Sequence, residues 1–468
     1  MYPRGLFIDT TLAVVTEARL MAKDGGPVVM LQIENEYGNM EHFYPHTGAK
    51  YVQWAAQYAL DKNLSVPWMM CQQGEGVGTA PPKEVINTCN GYYCDNWIAK
   101  HTVDFPTQPH MWTENWPGWY QKWGEPVPHR PAVDVTFAVA RWFAKGGTFM
   151  NYYMVFGGTS FGRDVGGPLI VTSYDYDVQI NEYGLHAEPK YSLTQKLHQV
   201  LHSSASVILA HDEVPNAVPH TSSSTCESHA YDQHPDVGCV TFLSNWGTKG
   251  DCVFEVESIS FTVPAWSVSI LSDTCASAAS PPPTLLLNTK TDAEEVKTTK
   301  QTPVAIKDFQ LTPFELLLSE PVPSSASSIE EKAEVITSSE ILDQLVLTND
   351  DTDYLWTSSS FQREEAGSSA NLSFSISTDG GPVLFVFVNG QLLASSIDDY
   401  STVAEGLQRM KVEQEQEQEQ EEVTAAGSVE TMQFTLTGLL AGANSVDILF
   451  SSMGLKNYGP VSEEGGGL

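Results

Sequence analysis

The chain has 468 residues, 41% of them hydrophobic, enough material for about two to four domains with sizeable cores. Its 58 acidic side chains outnumber 24 basic ones, for a formal charge of −34. That balance excludes functions resting on clustered Lys and Arg, such as binding nucleic acid or an anionic membrane surface.

Up to about residue 195, strand and helix patterns alternate. Short β-branched or aromatic runs bounded by Gly or Pro predict strands at 28–33, 66–71, 85–89, 110–113 and 148–156. Between the first two, Tyr51, Val52, Ala55, Tyr58 and Ala59 recur at helical spacing, and before the last Val135, Val139, Trp142 and Phe143 do the same. Such alternation predicts βαβ units and a parallel sheet, although five strands fall short of a closed eight-stranded barrel.

The texture changes after His211. Short β runs start at Val240, Val253 and Trp266, divided by Gly, Asn and Asp. The stretch ASAASPPP, from Ala276 to Pro283, is a linker by composition. Farther on, the apolar run 383–388 leads into Asn389-Gly390, a strong hairpin signal. The Glu/Gln alternation at 413–422 reads as a solvated, disordered insertion.

Seven cysteines are present: Cys71, Cys89, Cys94, Cys226, Cys239, Cys252 and Cys275. The short loop Cys89-Asn-Gly-Tyr-Tyr-Cys94 can close as a disulfide, and no second close pair with a His partner suggests zinc. Disulfides in an oxidising compartment, with one cysteine left over, are the expected arrangement. Asn63 and Asn371 begin glycosylation sequons. No run reaches the roughly 20 apolar residues of a membrane span. Asp9, Glu17 and Arg19 interrupt the apolar core that a leader peptide needs.

Two apolar runs end in carboxylates. One leads into Glu34-Asn35-Glu36-Tyr37-Gly38 and the other into Glu114-Asn115-Trp116. Carboxylates at the C-terminal ends of parallel strands occupy the position where α/β barrels carry their chemistry, and burying them beside aromatics is costly unless they are paired or working. Such a pair suits the acid/base and nucleophile of a retaining glycosidase. Two bland alternatives stand beside it: Glu36 pairing with a Lys or Arg, and Glu34 as the working carboxylate. In a regular strand Glu34 and Glu36 point to one face and Asn35 to the other, so Asn35 and Glu36 share a site only if the strand ends or bulges there.

The segments GGPVVMLQIENEYG (25–38) and MWTENWPGWY (111–120) resemble the signature strands of β-galactosidases of glycoside hydrolase family 35. MVFGGTSFGR (154–163), SYDYD (173–177) and EPKY (188–191) extend the likeness, and the downstream CVTFLSNW, PAWSVSIL, DYLW and VFVNGQLL segments are similar to plant-type members. The resemblance implies strands four to eight of a TIM barrel over 1–195, a small β-domain over 196–275, a linker over 276–302 and a galactose-binding-like jelly-roll region over 303–468. It also implies that the chain is cut short at both ends, which leaves sheet edges unpaired. Departures include Phe156, Pro117 and Ser160, together with Val178, Gln179 and Asn181 after SYDYD.

By the same resemblance, Glu114 is the nucleophile and Glu36 the acid/base, Asn35 holds the sugar 2-OH, and Tyr153 and Tyr176 line the sugar site. Trp116 and Trp119 would floor the pocket or serve as core. The substrates implied are galactose-containing oligosaccharides or cell-wall glycans, met outside the cell or in a vacuolar or lysosomal lumen. Alternatives are an exo-glycosidase for another hexose and an inactive, carbohydrate-binding fragment. No cofactor or metal is expected: Arg163 stands where a phosphate loop needs Lys-Ser/Thr after the Gly157–Gly162 stretch, and no metal-ligand motif appears.

Overall fold

The computed structural model describes residues 2–74, 77–123, 126–162, 170–174, 177–210, 214–221, 223–275, 281–295, 336–338, 347, 352–364, 370–377, 383–395, 429–436 and 439–451. Tyr176, Arg163, the second half of the SYDYD motif before Asp177 and the Glu/Gln stretch 413–422 lie outside the described residues. Two compact units make up the chain. The first comprises Met1–Tyr120, Pro128–Gly158 and Asp175–Lys300; the second comprises Gln121–Val127, Thr159–Tyr174 and Gln301–Leu468.

The first unit opens with helix α1 (Tyr2–Glu17) and then alternates as the patterning predicts. Strand β1 (Leu31–Asn35) is followed by α2 (Gly38–Glu41), α3 (Gly48–Leu60), β2 (Trp68–Cys71), β3 (Ile86–Gly91), α4 (Trp97–Asp104), β4 (Met111–Asn115), α5 (Ala132–Ala144) and β5 (Phe149–Tyr152). The five strands form one parallel sheet in sequential order, with β1 and β5 at its edges. β1 begins three residues later than its apolar run, because Val28 pairs with Met21 in an isolated bridge and Val29 is exposed. Helix α3 turns Val52, Ala55, Ala56 and Ala59 onto Ile33, Trp68, Met70 and Val85, a three-to-four residue spacing that puts them on one face.

Helices α6 (Lys190–Ser203) and α7 (Ala205–Ala210) lead into antiparallel structure. Its strands are β6 (Ala217–Pro219), β7 (Cys226–Tyr231), β8 (Val240–Asn245), β9 (Cys252–Val256), β10 (Ile259–Val263), β11 (Ser267–Ser272) and β12 (Thr284–Asn288), before the short α8 (Thr291–Glu295). A five-stranded sheet runs β12-β11-β8-β7-β6, and β9 pairs with β10. β8 is buried along its whole length because both of its faces are covered. Phe242, Val268 and Ile270 pack with Phe137, Val139 and Leu197 of α5 and α6 on one side, while Leu243 and Leu271 pack with Cys252, Phe254 and Val263 on the other.

Within the 276–302 stretch that the resemblance implies is a linker, Thr284–Asn288 is a strand on β11. The Pro-rich run ends at Pro283, and the apolar Leu285-Leu286-Leu287 that follows has a sheet edge to join; residues 276–280 lie outside the described residues. Disulfides join Cys89 to Cys94, Cys226 to Cys252 and Cys239 to Cys275, leaving Cys71 as a buried free thiol.

The second unit contains a four-stranded antiparallel sheet in the order β13-β18-β15-β16 and a separate pair, β14 with β17. These strands are β13 (Tyr354–Arg363), β14 (Ala370–Ser377), β15 (Val383–Val388), β16 (Gln391–Ser395), β17 (Val429–Leu436) and β18 (Gly442–Ser451). Leu384, Val386 and Val388 alternate toward one face and meet Val446, Ile448 and Leu439 there. The expected hairpin forms: Asn389 and Gly390 take φ of 50° and 78°, the pair of positive values that a two-residue turn between twisted strands requires. Among the described residues no helix is long and apolar enough to cross a membrane.

Candidate active site

The C-terminal end of β1 is not a regular strand. Leu31 and Gln32 face Trp68 and Met69, but the next ladder partner is Asn35 with Cys71, so β1 carries an extra residue against β2. Glu34 and Glu36 take φ of 63° and 57°, in the left-handed region that ordinary side chains enter only at a cost. This bulge breaks the strict alternation of a strand. Asn35 and Glu36 consequently reach the same partner, the Asn90 side chain, whose Nδ2 donates to Glu36 Oε1 at 2.8 Å and to Asn35 Oδ1 at 3.3 Å. Glu34 is turned elsewhere: Tyr51 donates its hydroxyl to Glu34 Oε1, and Asn35 N lies 3.3 Å from Oε2.

β4 is irregular at its end too. Asn90 faces Glu114 in the β3–β4 ladder, after a register shift that follows Cys89 and Trp112. A second shift separates Trp112 from Asn115 in the pairing with β5. The Trp116 indole donates to Glu114 Oε2 at 3.1 Å, and the Trp112 indole donates to the Glu114 carbonyl at 2.7 Å. Beneath the carboxylates, Thr113 Oγ1 donates to Asn90 Oδ1 at 2.7 Å and sits 2.8 Å from Thr88 Oγ1, which fixes the rotamer of the Asn90 amide.

Neither Glu36 nor Glu114 forms an ion pair with a described Lys or Arg, so the bland pairing of Glu36 with a cation has no support. Burial pushes the Glu36 carboxyl up to about 7; the Asn90 amide opposes this and the charge of Glu114 adds to it. The Glu114 carboxyl is also raised by burial, but the Trp116, Asn35 and Asn90 donors hold it down. Desolvation therefore outweighs charge repulsion as the cause of the raised Glu36 pKa. A carboxylic acid near neutrality beside a carboxylate supplied with donors can divide proton donation and nucleophilic attack between them.

Of the other residues expected at the site, Tyr153 follows β5 directly and its N–H donates to the Asn115 carbonyl at 2.8 Å, beside Glu114. Trp119 and Trp116 form an aromatic cluster with Tyr92, with ring centroids 5.1–5.9 Å apart. Asn90 is the residue that sequence reasoning passed over. Its signal was adjacent, since it lies inside the Cys89–Cys94 loop, but an Asn before Gly reads first as a turn. Among the described residues no group of three His, Cys, Asp or Glu gathers as a metal ligand set.

The model of the glycosyl hydrolases family 35 matches residues 5–201. Beta-galactosidase 6 of Oryza sativa subsp. japonica is 35% identical over 465 residues, covering 97% of this chain and 48% of that protein. Beta-galactosidase 10 of Arabidopsis thaliana is 35% identical over 460 residues, covering 98% of this chain and 55% of its own. Residues 5–201 are thus similar to the glycosyl hydrolases of family 35. It spans about half the length of the curated relatives it matches. Among solved structures, the ligand-free cyclic alpha-maltosyl-(1→6)-maltose hydrolase from Arthrobacter globiformis aligns at 9% identity over 54% of this chain and 57% of its own. Its TM-score of 0.28 is too low to carry an argument. The two carboxylate motifs both fall inside the matched segment.

Proposed function

We propose that this chain removes terminal, non-reducing β-D-galactosyl residues by double displacement. Glu114 attacks the anomeric carbon to give a covalent glycosyl-enzyme, and Glu36 protonates the leaving oxygen. Glu36, then ionised, takes a proton from the water that releases the sugar. Asn35 holds the 2-OH, a contact that strengthens in the oxocarbenium-like transition state. Tyr153 and Tyr176 line the sugar site. The chief support is the shared Asn90, which joins the ends of β1 and β4 while leaving the two carboxyl groups with different proton affinities.

In this reading the five parallel strands are part of a (β/α)8 barrel over residues 1–195, with carboxylates at the C-terminal strand ends. A small β-domain over 196–275 and a jelly-roll region over 303–468 follow. Three disulfides favour an oxidising location such as the cell exterior or wall, and the substrates are galactose-bearing oligosaccharides or wall glycans. The test is a panel of nitrophenyl glycosides with product anomers followed by proton NMR. Release of β-galactose first from the β-galactoside is the expected result. Turnover of a different hexoside, or glycan binding without turnover, would reject the galactosidase reading.

A further inference from the structure

Asp177 of SYDYD and Lys190 of EPKY have no part in that chemistry, yet both are tied to the loop that leaves Glu114. Lys190 is buried, and its Nζ donates to the Pro117 carbonyl at 3.0 Å and to the Asp177 backbone carbonyl, and pairs with Asp177 Oδ2 at 2.8 Å. The same Oδ2 accepts the Arg130 backbone N–H at 2.5 Å. Arg130, also buried, donates from Nη1 to the Trp116 carbonyl at 2.6 Å, from Nη2 to the Tyr92 carbonyl at 3.1 Å and from Nε to Asp134 Oδ2 at 2.6 Å. Two consecutive carbonyls, of Trp116 and Pro117, are thus each held by a buried cation.

Arg130, Lys190, Asp177 and Asp134 sum to zero charge. The cluster therefore has little net field to place on Glu114, and what it supplies is position. Buried ion pairs contribute little stability over a well-packed apolar substitute, so their use here points to a geometric requirement. The Trp116 ring is held from a third side by the edge-on Tyr92 ring, 5.2 Å away, over which the Arg130 guanidinium lies at 5.2 Å. The indole so fixed has one N–H, and that N–H is given to Glu114 Oε2.

We infer that Arg130, Asp177 and Lys190 form a clamp on the Trp116-Pro117 backbone that aims the Trp116 indole at the Glu114 carboxylate, making them positioning residues for the nucleophile. The inference rests on the reading of Glu114 as nucleophile. Arg130→Lys keeps the charge and the backbone contact to Asp177 but loses the fork to the Trp116 and Tyr92 carbonyls. Trp116→Phe keeps the clamp and the ring but loses the N–H.

The experiment measures turnover of a nitrophenyl β-galactoside by the full chain, with the pH profile, for both single variants and the double. Each single variant is expected to lower kcat about 10- to 100-fold, the scale of a small misplacement of a reacting group, with KM within about twofold. The acidic limb moves to higher pH, because Glu114 keeps its Asn35 and Asn90 donors and its neighbour Glu36 but loses the indole. The double variant should be no worse than Trp116→Phe, since Arg130 acts through that indole. Losses that multiply would overturn the clamp.

A second arm does not depend on turnover. The Trp116 indole N–H resonance, assigned by its loss in Trp116→Phe, should shift as Glu114 ionises and stop doing so in Glu114→Gln. Lys190→Arg, measured in case Arg130→Lys does not fold, should displace that titration. An indole that ignores Glu114→Gln, or that titrates identically in the clamp variants, refutes the inference. A responsive indole in a chain without turnover upholds the clamp and defeats the functional reading.

Discussion

Asn90 stands opposite Glu114 in the β3–β4 ladder and donates its side-chain amide to Glu36 Oε1 at 2.8 Å. One residue thus touches both ends of the proposed acid/base and nucleophile pair, and its own amide is fixed by the Thr113 hydroxyl. Asn90→Ala is expected to lower kcat/KM by roughly 100-fold, the usual cost of one oriented donor. The amide lowers the pKa of both carboxyl groups, so its loss should move both limbs of the pH profile to higher pH. A profile of unchanged shape and position would show that Asn90 is merely structural.

The two carboxylates should separate by leaving group. Glu114→Gln is expected to abolish turnover of every galactoside, because nothing replaces the attacking oxygen. Glu36→Gln should spare the first step for a dinitrophenyl leaving group, which needs little protonation. Azide should restore turnover of that variant and yield β-galactosyl azide with retained configuration. Equal losses on all substrates in both variants would count against the division of roles.

Much of this site is legible in the sequence, and the missing parts share a physical character. The carboxylates show themselves because an apolar run that ends in Glu is conspicuous. The hairpin at Asn389-Gly390 shows itself because few dipeptides accept two positive φ values. The bulge that brings Asn35 and Glu36 together leaves no compositional trace: Glu34 and Glu36 are ordinary residues in left-handed backbone, held there by the ladder and by Tyr51. Arg130, Asp177 and Lys190 belong to no periodic pattern, so only the folded chain gathers them and brings Arg130 and Lys190 to adjacent carbonyls. β12 hides behind a proline-rich run, since composition is averaged over a window wider than a five-residue strand.

Burial of Glu36 has a stability consequence whose sign follows from its pKa. An ordinary Glu titrates near 4.5 and Glu36 near 7. Between those values the folded chain holds a proton that the unfolded chain has released, so stability falls as pH rises through this window. Glu36→Gln removes the charge and should raise Tm relative to the parent at pH 8 but not at pH 4. After discounting for the half-buried setting, the gain should be on the order of 1–2 kcal/mol. Thermal unfolding at the two pH values checks it, and an equal effect at both would show that packing rather than ionisation is responsible.

Cysteine chemistry should follow the same burial logic. The Cys71 thiol is pushed up to about 12, chiefly by burial, so it holds almost no thiolate at neutral pH. Iodoacetamide is expected to leave the native chain unmodified and to label one cysteine after unfolding without reductant. Peptide mapping should assign that label to Cys71 and return the pairs Cys89–Cys94, Cys226–Cys252 and Cys239–Cys275. Labelling of Cys89 or Cys94 would mean that the loop carrying Asn90 is open.

The β8–β11 sheet and the helices behind the parallel sheet should unfold together, because one apolar cluster belongs to both. Phe242 and Ile270 are fully buried against Phe137 and Val139 of α5 and Leu197 of α6, and the Trp266 indole donates to Asp134 Oδ1 at 2.7 Å. Phe242→Ala leaves a large cavity at that seam and is expected to cost about 3–5 kcal/mol. Far-ultraviolet dichroism, which reports the helices, and near-ultraviolet dichroism, which reports the tryptophans, should then show one shared transition shifted to lower temperature. Val446→Ala in the second unit offers the contrast: it truncates a separate core with Leu384 and Ile448, so the main helical transition should stay where it is. Two resolved transitions in the Phe242→Ala variant, with the helical one unmoved, would show that the sheet and the helices are energetically independent despite their common core.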